Sequence, residues 1–194
     1  SVMRDCGKQL FGAVGIWCGL TRETTIQENE IYNLPYTGIS IGWMSNPTPT
    51  PAQNNMVQGN HIHHIMHTLS DGGGIYMLGL QPASKLINNL IHDVTINVGR
   101  AESNGMFLDE GITDVLVADN IIYNIAKSPI RFHKATTNTV RENHLFCGKD
   151  IPPFRYNRTD SNMIDRINNR IYHNSDPSYA SALEAALEAF QGSR

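Results

Sequence analysis

Apolar positions along this chain fall in runs of three or four residues, alternating with polar neighbours in the period of a strand and too short for an amphipathic helix. The runs recur. A tripeptide of Asn, any residue and an aliphatic appears at Asn29-Glu30-Ile31, Asn60-His61-Ile62, Asn89-Leu90-Ile91, Asn120-Ile121-Ile122 and Asn143-His144-Leu145, with a further match at Asn169-Arg170-Ile171. Successive asparagines stand 31, 29, 31, 23 and 26 residues apart. A short β-type run precedes each of the first five: Thr24–Gln27, Asn55–Gln58, Lys85–Asn88, Val115–Ala118 and Thr139–Arg141. Another element falls in between: Gly15-Ile16-Trp17, Gly38-Ile39-Ser40-Ile41, Gly74-Ile75-Tyr76-Met77, Gly105-Met106-Phe107-Leu108 and, without the glycine, Ser128–Phe132.

Strands this short cannot bury an apolar face alone, but stacked coil on coil they form parallel sheets around one continuous core. A helical solenoid would need longer amphipathic stretches, which Asn-rich, β-branched segments oppose. The expected fold is therefore all-β, a right-handed parallel β-helix with about three strands per coil, the hand following the crossover preference of parallel strands. Its coils are expected over residues 1–175. At the corners the asparagines are expected to adopt a left-handed backbone and to bond the equivalent Asn one coil away. Gly15, Gly38, Gly74 and Gly105 are expected to mark bends for the same reason. Pro47, Pro49 and Pro51, alternating with Thr, predict an extended loop standing off one side.

A short C-terminal helix is expected over 176–191, capped by Asp176-Pro177. Tyr179, Leu183, Ala186, Leu187 and Phe190 recur at helical spacing, giving a face that packs on the solenoid or covers its last coil. At the other end the repeat is read as already under way at Gly15. A stack cut across there would expose sheet edges and apolar core, so preceding coils, another chain or self-association is expected to cover it.

Composition narrows the partners. The 194 residues carry 15 basic and 18 acidic side chains, a formal charge of −3, and 17 % are charged. That balance argues against a basic nucleic-acid-binding module and a disordered tail, and no apolar run approaches the roughly 20 residues that span a bilayer. No nucleic acid and no membrane is expected as a partner. Cys6, Cys18 and Cys147 make no complete disulfide framework; Cys6 and Cys18 could pair, and buried or free thiols are the expectation.

Ionisable groups interrupt the rhythm on two successive coils, at Ser70-Asp71-Gly72-Gly73-Gly74 and Leu108-Asp109-Glu110-Gly111. Carboxylates beside glycine suit acid–base chemistry on a sugar, because the ring can approach the backbone closely. The alternative is that both aspartates cap turns through their own backbone. Aligning Gly74 with Gly105 puts Asp71 three residues before the shared position and Asp109 four after it. Extended, that offset spans roughly 23 Å, against the roughly 5–10 Å between glycosidase carboxylates, so Gly72-Gly73-Gly74 must turn sharply for the two to meet. Glu110 and nearby histidines would tune the pair.

His61, His63, His64 and His67 raise a metal reading, since positions 61 and 63 share a strand face. With no cysteine nearby, hydrogen bonding of His64 or His67 to sugar hydroxyls is the preferred role, and no metal or other cofactor is expected. Trp43, Tyr36 and Tyr76 could offer a face for sugar stacking. Arg131 and His133, one coil beyond Asp109, could reach the same groove.

Taken in order, Gly15–Trp17, Asn29–Trp43, Ser70–Tyr76, Leu78–Pro82, Ile91–Val94 and Leu108–Gly111 resemble a group of bacterial β-helix carbohydrate-active proteins and are similar to glycoside hydrolase family 141. The likeness covers residues 12–125. It implies fucosidase- or xylanase-like activity on plant-type polysaccharide, a longer chain of which these are the later coils, and catalytic aspartates at Asp71 and Asp109. Where that family often carries a further Trp, this chain has Met44-Ser45. The expectation is a secreted or periplasmic glycosidase in which one aspartate protonates the glycosidic oxygen while the other acts as nucleophile or activates water. Glu110, His64, His67, Tyr76, Trp43, Arg131 and His133 are expected to bind the polysaccharide or oligosaccharide. The alternatives are a polysaccharide lyase on the same scaffold, with a basic side chain and Ca²⁺, and a non-catalytic carbohydrate-binding solenoid.

Overall fold

The computed structural model describes residues 1–96 and 102–192. Each short alternating run forms a strand, and the chain visits three parallel sheets in a fixed order as it winds. The first sheet stacks Val2–Arg4, Glu30–Tyr32, His61–Ile65, Leu90–Val94, Ile121–Ile125, His144–Cys147 and Arg170–His173. In the second are Ile16–Cys18, Ile39–Gly42, Gly72–Leu78, Ser103–Asp109, Ser128–His133 and Phe154–Asn157. The third holds Thr25–Gln27, Met56–Gln58, Lys85–Ile87, Leu116–Ala118, Asn138–Arg141 and Ile164–Ile167. Val2–Arg4 already pairs with Glu30–Tyr32, so the stack is under way ahead of Gly15.

Register is what turns repeats into a core. Ile31, Ile62, Ile91, Ile122 and Leu145 stand one above another and are fully buried. The inward Ile, Val and Met of the other two sheets close the same core. Burying such columns supplies the hydrophobic driving force that no single coil possesses.

The asparagines form the expected ladder. Asn29 Nδ2 donates to Asn60 Oδ1 (2.9 Å), Asn60 to Asn89 (3.0 Å), Asn89 to Asn120 (3.0 Å), Asn120 to Asn143 (2.9 Å) and Asn143 to Asn169 (2.8 Å). The same oxygens accept the backbone N–H of the preceding rung, at 2.9–3.1 Å. The left-handed backbone lies elsewhere than expected. It falls on the residue just before each ladder Asn: Glu28, Gly59, Asn88, Asp119, Glu142 and Asn168, with φ of 51–64°. Turning the corner one residue early leaves the Asn amide free to lie along the stack.

The corner glycines also have a different reason. A Cβ on Gly38, Gly74 or Gly105 would stand 2.5–2.6 Å from Cγ2 of Ile62, Ile91 or Ile122, and 2.5–2.8 Å from a carbonyl of the next coil. Gly74 and Gly105 lie within strands, so close packing of backbone on isoleucine, and no bend, requires them. In the 46–51 segment Thr48, Pro49 and Pro51 are exposed, while its start lies along the stack: a Cβ on Gly79 would meet the Met44 carbonyl and one on Gly111 would sit 2.7 Å from Pro47.

The helix spans Tyr179–Gly192 and lies on the outer face of the first sheet, where Ala186 and Phe190 pack with Leu90, Ile121 and Phe146. Asp176 does not cap it. Its carboxylate accepts the His173 N–H at 2.6 Å and holds the preceding turn, while the Ala182 N–H bonds the Ser178 carbonyl at 2.9 Å. Cys6, Cys18 and Cys147 are free thiols.

Replacing Asn89 by Ala strands donors and acceptors on two rungs, so it is expected to cost at least about 3 kcal/mol in denaturant unfolding. Asn169→Ala, at the half-exposed end of the ladder, is expected to cost less. Gly105→Ala is expected to lower stability by about 1–3 kcal/mol through overpacking against Ile122, measured the same way.

Candidate functional site

Outward side chains of the second sheet align as strictly as inward ones. One column runs Trp17, Ser40, Tyr76, Phe107, Arg131 and Arg155 across six coils. Beside it, at the strand ends, lie Asp109 and His133. Phe107 is buried, and Tyr76 packs edge-on to it with ring centroids 5.2 Å apart. Arg131 covers the other side of Phe107, its guanidinium carbon 4.5 Å from the ring centre.

Asp109 is the most heavily bonded group of this face, and only 8 % exposed. Its Oδ2 accepts the Tyr76 hydroxyl at 2.7 Å; its Oδ1 lies 2.7 Å from His133 Nδ1 and accepts the Glu110 N–H at 2.9 Å. Glu110 has φ of 52°, and this left-handed turn aims its N–H back at the Asp109 carboxylate. Lys134 in turn holds both Glu110 oxygens at 2.8 Å. These three contacts fix the position and orientation of the carboxylate.

Asp71 sits differently. It is exposed, with φ of 68°, and its N–H bonds the Glu102 carbonyl at 2.6 Å. The Tyr36 hydroxyl donates to its carbonyl at 3.0 Å. The expected turn at Gly72-Gly73-Gly74 is absent: these residues begin the Gly72–Leu78 strand, with Gly73 level with Asn104. A Cβ on Gly73 would stand 2.5 Å from the Asn104 carbonyl, so the glycines serve close contact between coils. Along the backbone the two aspartates therefore keep their offset. Only Asp109 touches the Tyr76 phenol. Burial, then the charge of Asp109 and its hydrogen bond, then Asp71 push the Tyr76 pKa far above the ordinary value. Burial and Asp71 likewise raise that of Tyr36.

Positive charge lines the next coils. Arg131 lies 3.2 Å from Glu102, yet its Nη1 is buried and poorly aligned for a hydrogen bond. Burial first, and then Arg155, pull its pKa down. Arg155 also pairs with Glu102.

Residues 12–176 match the family model described as "Right handed beta helix region". The chain belongs to the right-handed β-helix family. Among solved structures this β-helix is similar to a "Glycoside hydrolase", at 22 % identity and a TM-score of 0.53, over 91 % of this chain and 24 % of that one. It is also similar to the "periplasmic alginate epimerase AlgG", at 14 % identity and a TM-score of 0.55, over 81 % of this chain and 36 % of that one. The chain thus spans about a quarter to a third of these neighbours' length. No curated protein matches its sequence significantly.

Of the residues expected at the site, Asp109, Glu110, Tyr76, Arg131 and His133 meet in this β-helix groove, with Asp71 at its far edge. Trp43 is 61 % exposed and meets Trp17 edge-on, centroids 5.6 Å apart, at the first coils of the same face. The two histidines are elsewhere. His64 lies on the first sheet, 3.6 Å from Asp93 and 2.8 Å from His63. His67 lines a hollow with Cys6, Lys8 and Pro35. His64 belongs to the His61–Ile65 strand of the first sheet and His67 follows that strand, so neither lies on the second-sheet strands that carry Tyr76 and Asp109. Residue-by-residue reading missed Trp17, Glu102, Phe107 and Arg155; their positions one coil apart were the available signal.

The raised Tyr76 pKa has a definite sign. Its stabilising bond is fully present below the unfolded phenol's pKa near 10 and is lost as pH rises above it, where the unfolded chain ionises and the folded phenol resists. The melting temperature of the wild type is expected to fall more steeply between pH 9 and pH 11 than that of Tyr76→Phe, read by circular dichroism (pH values about the phenol's usual range).

Proposed function

We propose that the outer face of the second sheet is the substrate groove of a carbohydrate-active enzyme, and that its reaction is glycoside hydrolysis. The supporting observation is the carboxylate of Asp109, held on one outer face by the Tyr76 hydroxyl, His133 and the Glu110 N–H, with the exposed Asp71 on the adjoining coil. In this reading Asp109, held by Tyr76, His133 and the Glu110 N–H, serves as nucleophile or as base toward water. Asp71, exposed to solvent, delivers the proton to the glycosidic oxygen. The exposed Trp17–Trp43 pair offers apolar faces to sugar rings. The family 141 resemblance supports a fucosidase- or xylanase-like specificity on plant-type polysaccharide, and a secreted or periplasmic setting. The two structural neighbours support carbohydrate chemistry on this fold.

A second reading, a lyase or related uronate-processing enzyme, is favoured by one observation: Asp109 fixes His133 through Nδ1 at 2.7 Å, which leaves Nε2 to take a proton. Arg131 and Arg155 could then neutralise a uronate carboxylate. The two readings separate on Asp71.

In an assay of reducing ends released from xylan and fucosylated oligosaccharides, Asp71→Asn and Asp109→Asn are each expected to cut turnover about 100-fold or more, with circular dichroism unchanged. Wild-type turnover in Asp71→Asn would remove hydrolysis by this pair. Loss of an ultraviolet-absorbing unsaturated product in His133→Ala, with Asp71→Asn fully active, would move the reaction to β-elimination.

A further inference from the structure

A second face of the solenoid carries its own constellation, independent of the groove. On the outer side of the first sheet, Glu30 is level with His61, and Tyr32 with His63 and His92. We propose that Glu30, His61 and His63 form a binding site for a divalent transition-metal ion of the zinc type.

Spacing is the first argument. Glu30 Oε1, His61 Nδ1 and His63 Nε2 all lie within 4.8 Å of one another. Glu30 Oε1 stands 3.6 Å from His63 Nε2 and 3.9 Å from His61 Nδ1. These are too long for hydrogen bonds, but close to the roughly 3.4 Å separating two donors placed tetrahedrally about 2.1 Å from a common Zn²⁺. Two other trios of such residues occur among the described residues, and both are tied by hydrogen bonds instead. His92 Nδ1 is 2.7 Å from Asp93, and His133 Nδ1 is 2.7 Å from Asp109, with Glu110 already taken by Lys134.

Proton placement is the second. A carboxylate only accepts, so neutral His92 donates from Nδ1 to Asp93 at 2.7 Å and presents Nε2 as an acceptor. His61 Nε2, 2.8 Å away, must then be the donor of that pair, which turns the lone pair of Nδ1 toward Glu30. His63 Nδ1 is occupied by His64 Nδ1 at 2.8 Å. Its Nε2 is buried without a hydrogen-bond partner and faces the same carboxylate. With its proton on Nδ1, donated to His64, His63 presents the Nε2 lone pair to Glu30, and a cation between them would neutralise the carboxylate.

The surroundings fit a ligand set held in place. Rings of Tyr32, His63, His92 and Tyr123 stack at 4.9, 4.9 and 4.5 Å between centroids, which fixes the imidazole planes. His92 and His64 bond the outer nitrogens of the two ligating imidazoles, the usual way that tautomer and orientation are set. Phe190, in the last turn of the C-terminal helix, meets His61 edge-on at 6.3 Å. The side chains of Glu30, His61 and His63 are 40, 22 and 14 % exposed, so a fourth position stays open to water.

The test is calorimetric titration of the chelator-stripped full chain with Zn²⁺. About one ion per chain is expected, with a rise in melting temperature. Glu30→Gln, nearly isosteric and partly exposed, and His63→Gln are each expected to weaken binding at least tenfold, to the order of 10–100-fold, and Asp109→Asn to leave it unchanged. His92→Phe, which keeps the ring stack but removes the bond to His61, is expected to weaken binding by a similar order without changing the stoichiometry. Absence of Zn²⁺ uptake by the wild type would overturn the proposal. So would uptake that survives both Glu30→Gln and His63→Gln in folded protein, or that disappears in Asp109→Asn.

Discussion

Each ladder asparagine makes bonds that only a matching asparagine one coil away can complete. Its oxygen takes two N–H groups from the coil on one side, and its amide reaches the next Asn and a backbone carbonyl such as Val57 O or Leu86 O. Buried amides left half-satisfied are expensive, so a coil slipped by one residue would forfeit the network along with its hydrophobic column. The ladder therefore fixes the vertical register of all three sheets. Everything outward follows from that register: once Ile62 lies on Ile91, Tyr76 must lie on Phe107 and His63 on His92.

The solenoid thus presents columns to solvent, and the two chemically rich columns use this in opposite ways. On the second sheet, groups of opposite character are interleaved so that each satisfies its neighbour: phenol on carboxylate, carboxylate on imidazole, guanidinium on an aromatic face. Such a network fixes the Asp109 carboxylate in place. On the first sheet, like groups are stacked, imidazole on imidazole, and His63 Nε2 is buried without a hydrogen-bond partner. The glycines of the second sheet serve both faces, because removing Cβ lets that strand close against the isoleucines beneath the histidine-bearing strands.

Much of this was legible in the chain alone. The period of Asn29, Asn60, Asn89, Asn120 and Asn143 set the coil count and the core columns, because only stacked repeats can bury three-residue strands. The amphipathic spacing of Tyr179 to Phe190 marked the helix, and the carboxylates that break the rhythm marked one face as chemically distinct. What the period could not set was local. It placed the left-handed residue on the asparagine when it lies one position earlier, since sequence identifies the tolerant residue type but not which φ the ladder requires. It read Gly72-Gly73-Gly74 as a turn, although glycine serves close approach as readily as bending.

Side-chain partnership belonged to the tertiary structure alone. Asp109, His133 and Tyr76 come from three successive coils, and so do Glu30, His61 and His92, so their contacts depend on register plus rotamer. His64 and His67 show the same limit: adjacent in sequence to Asp71, they are carried away by a corner whose direction no spacing reports. The sequence determined which residues repeat, and hence the solenoid and its columns, because burial demands periodicity. Only the folded coils decided which ionisable groups touch, because those contacts run across the repeat, between residues some 23–35 positions apart, and are made one pair at a time.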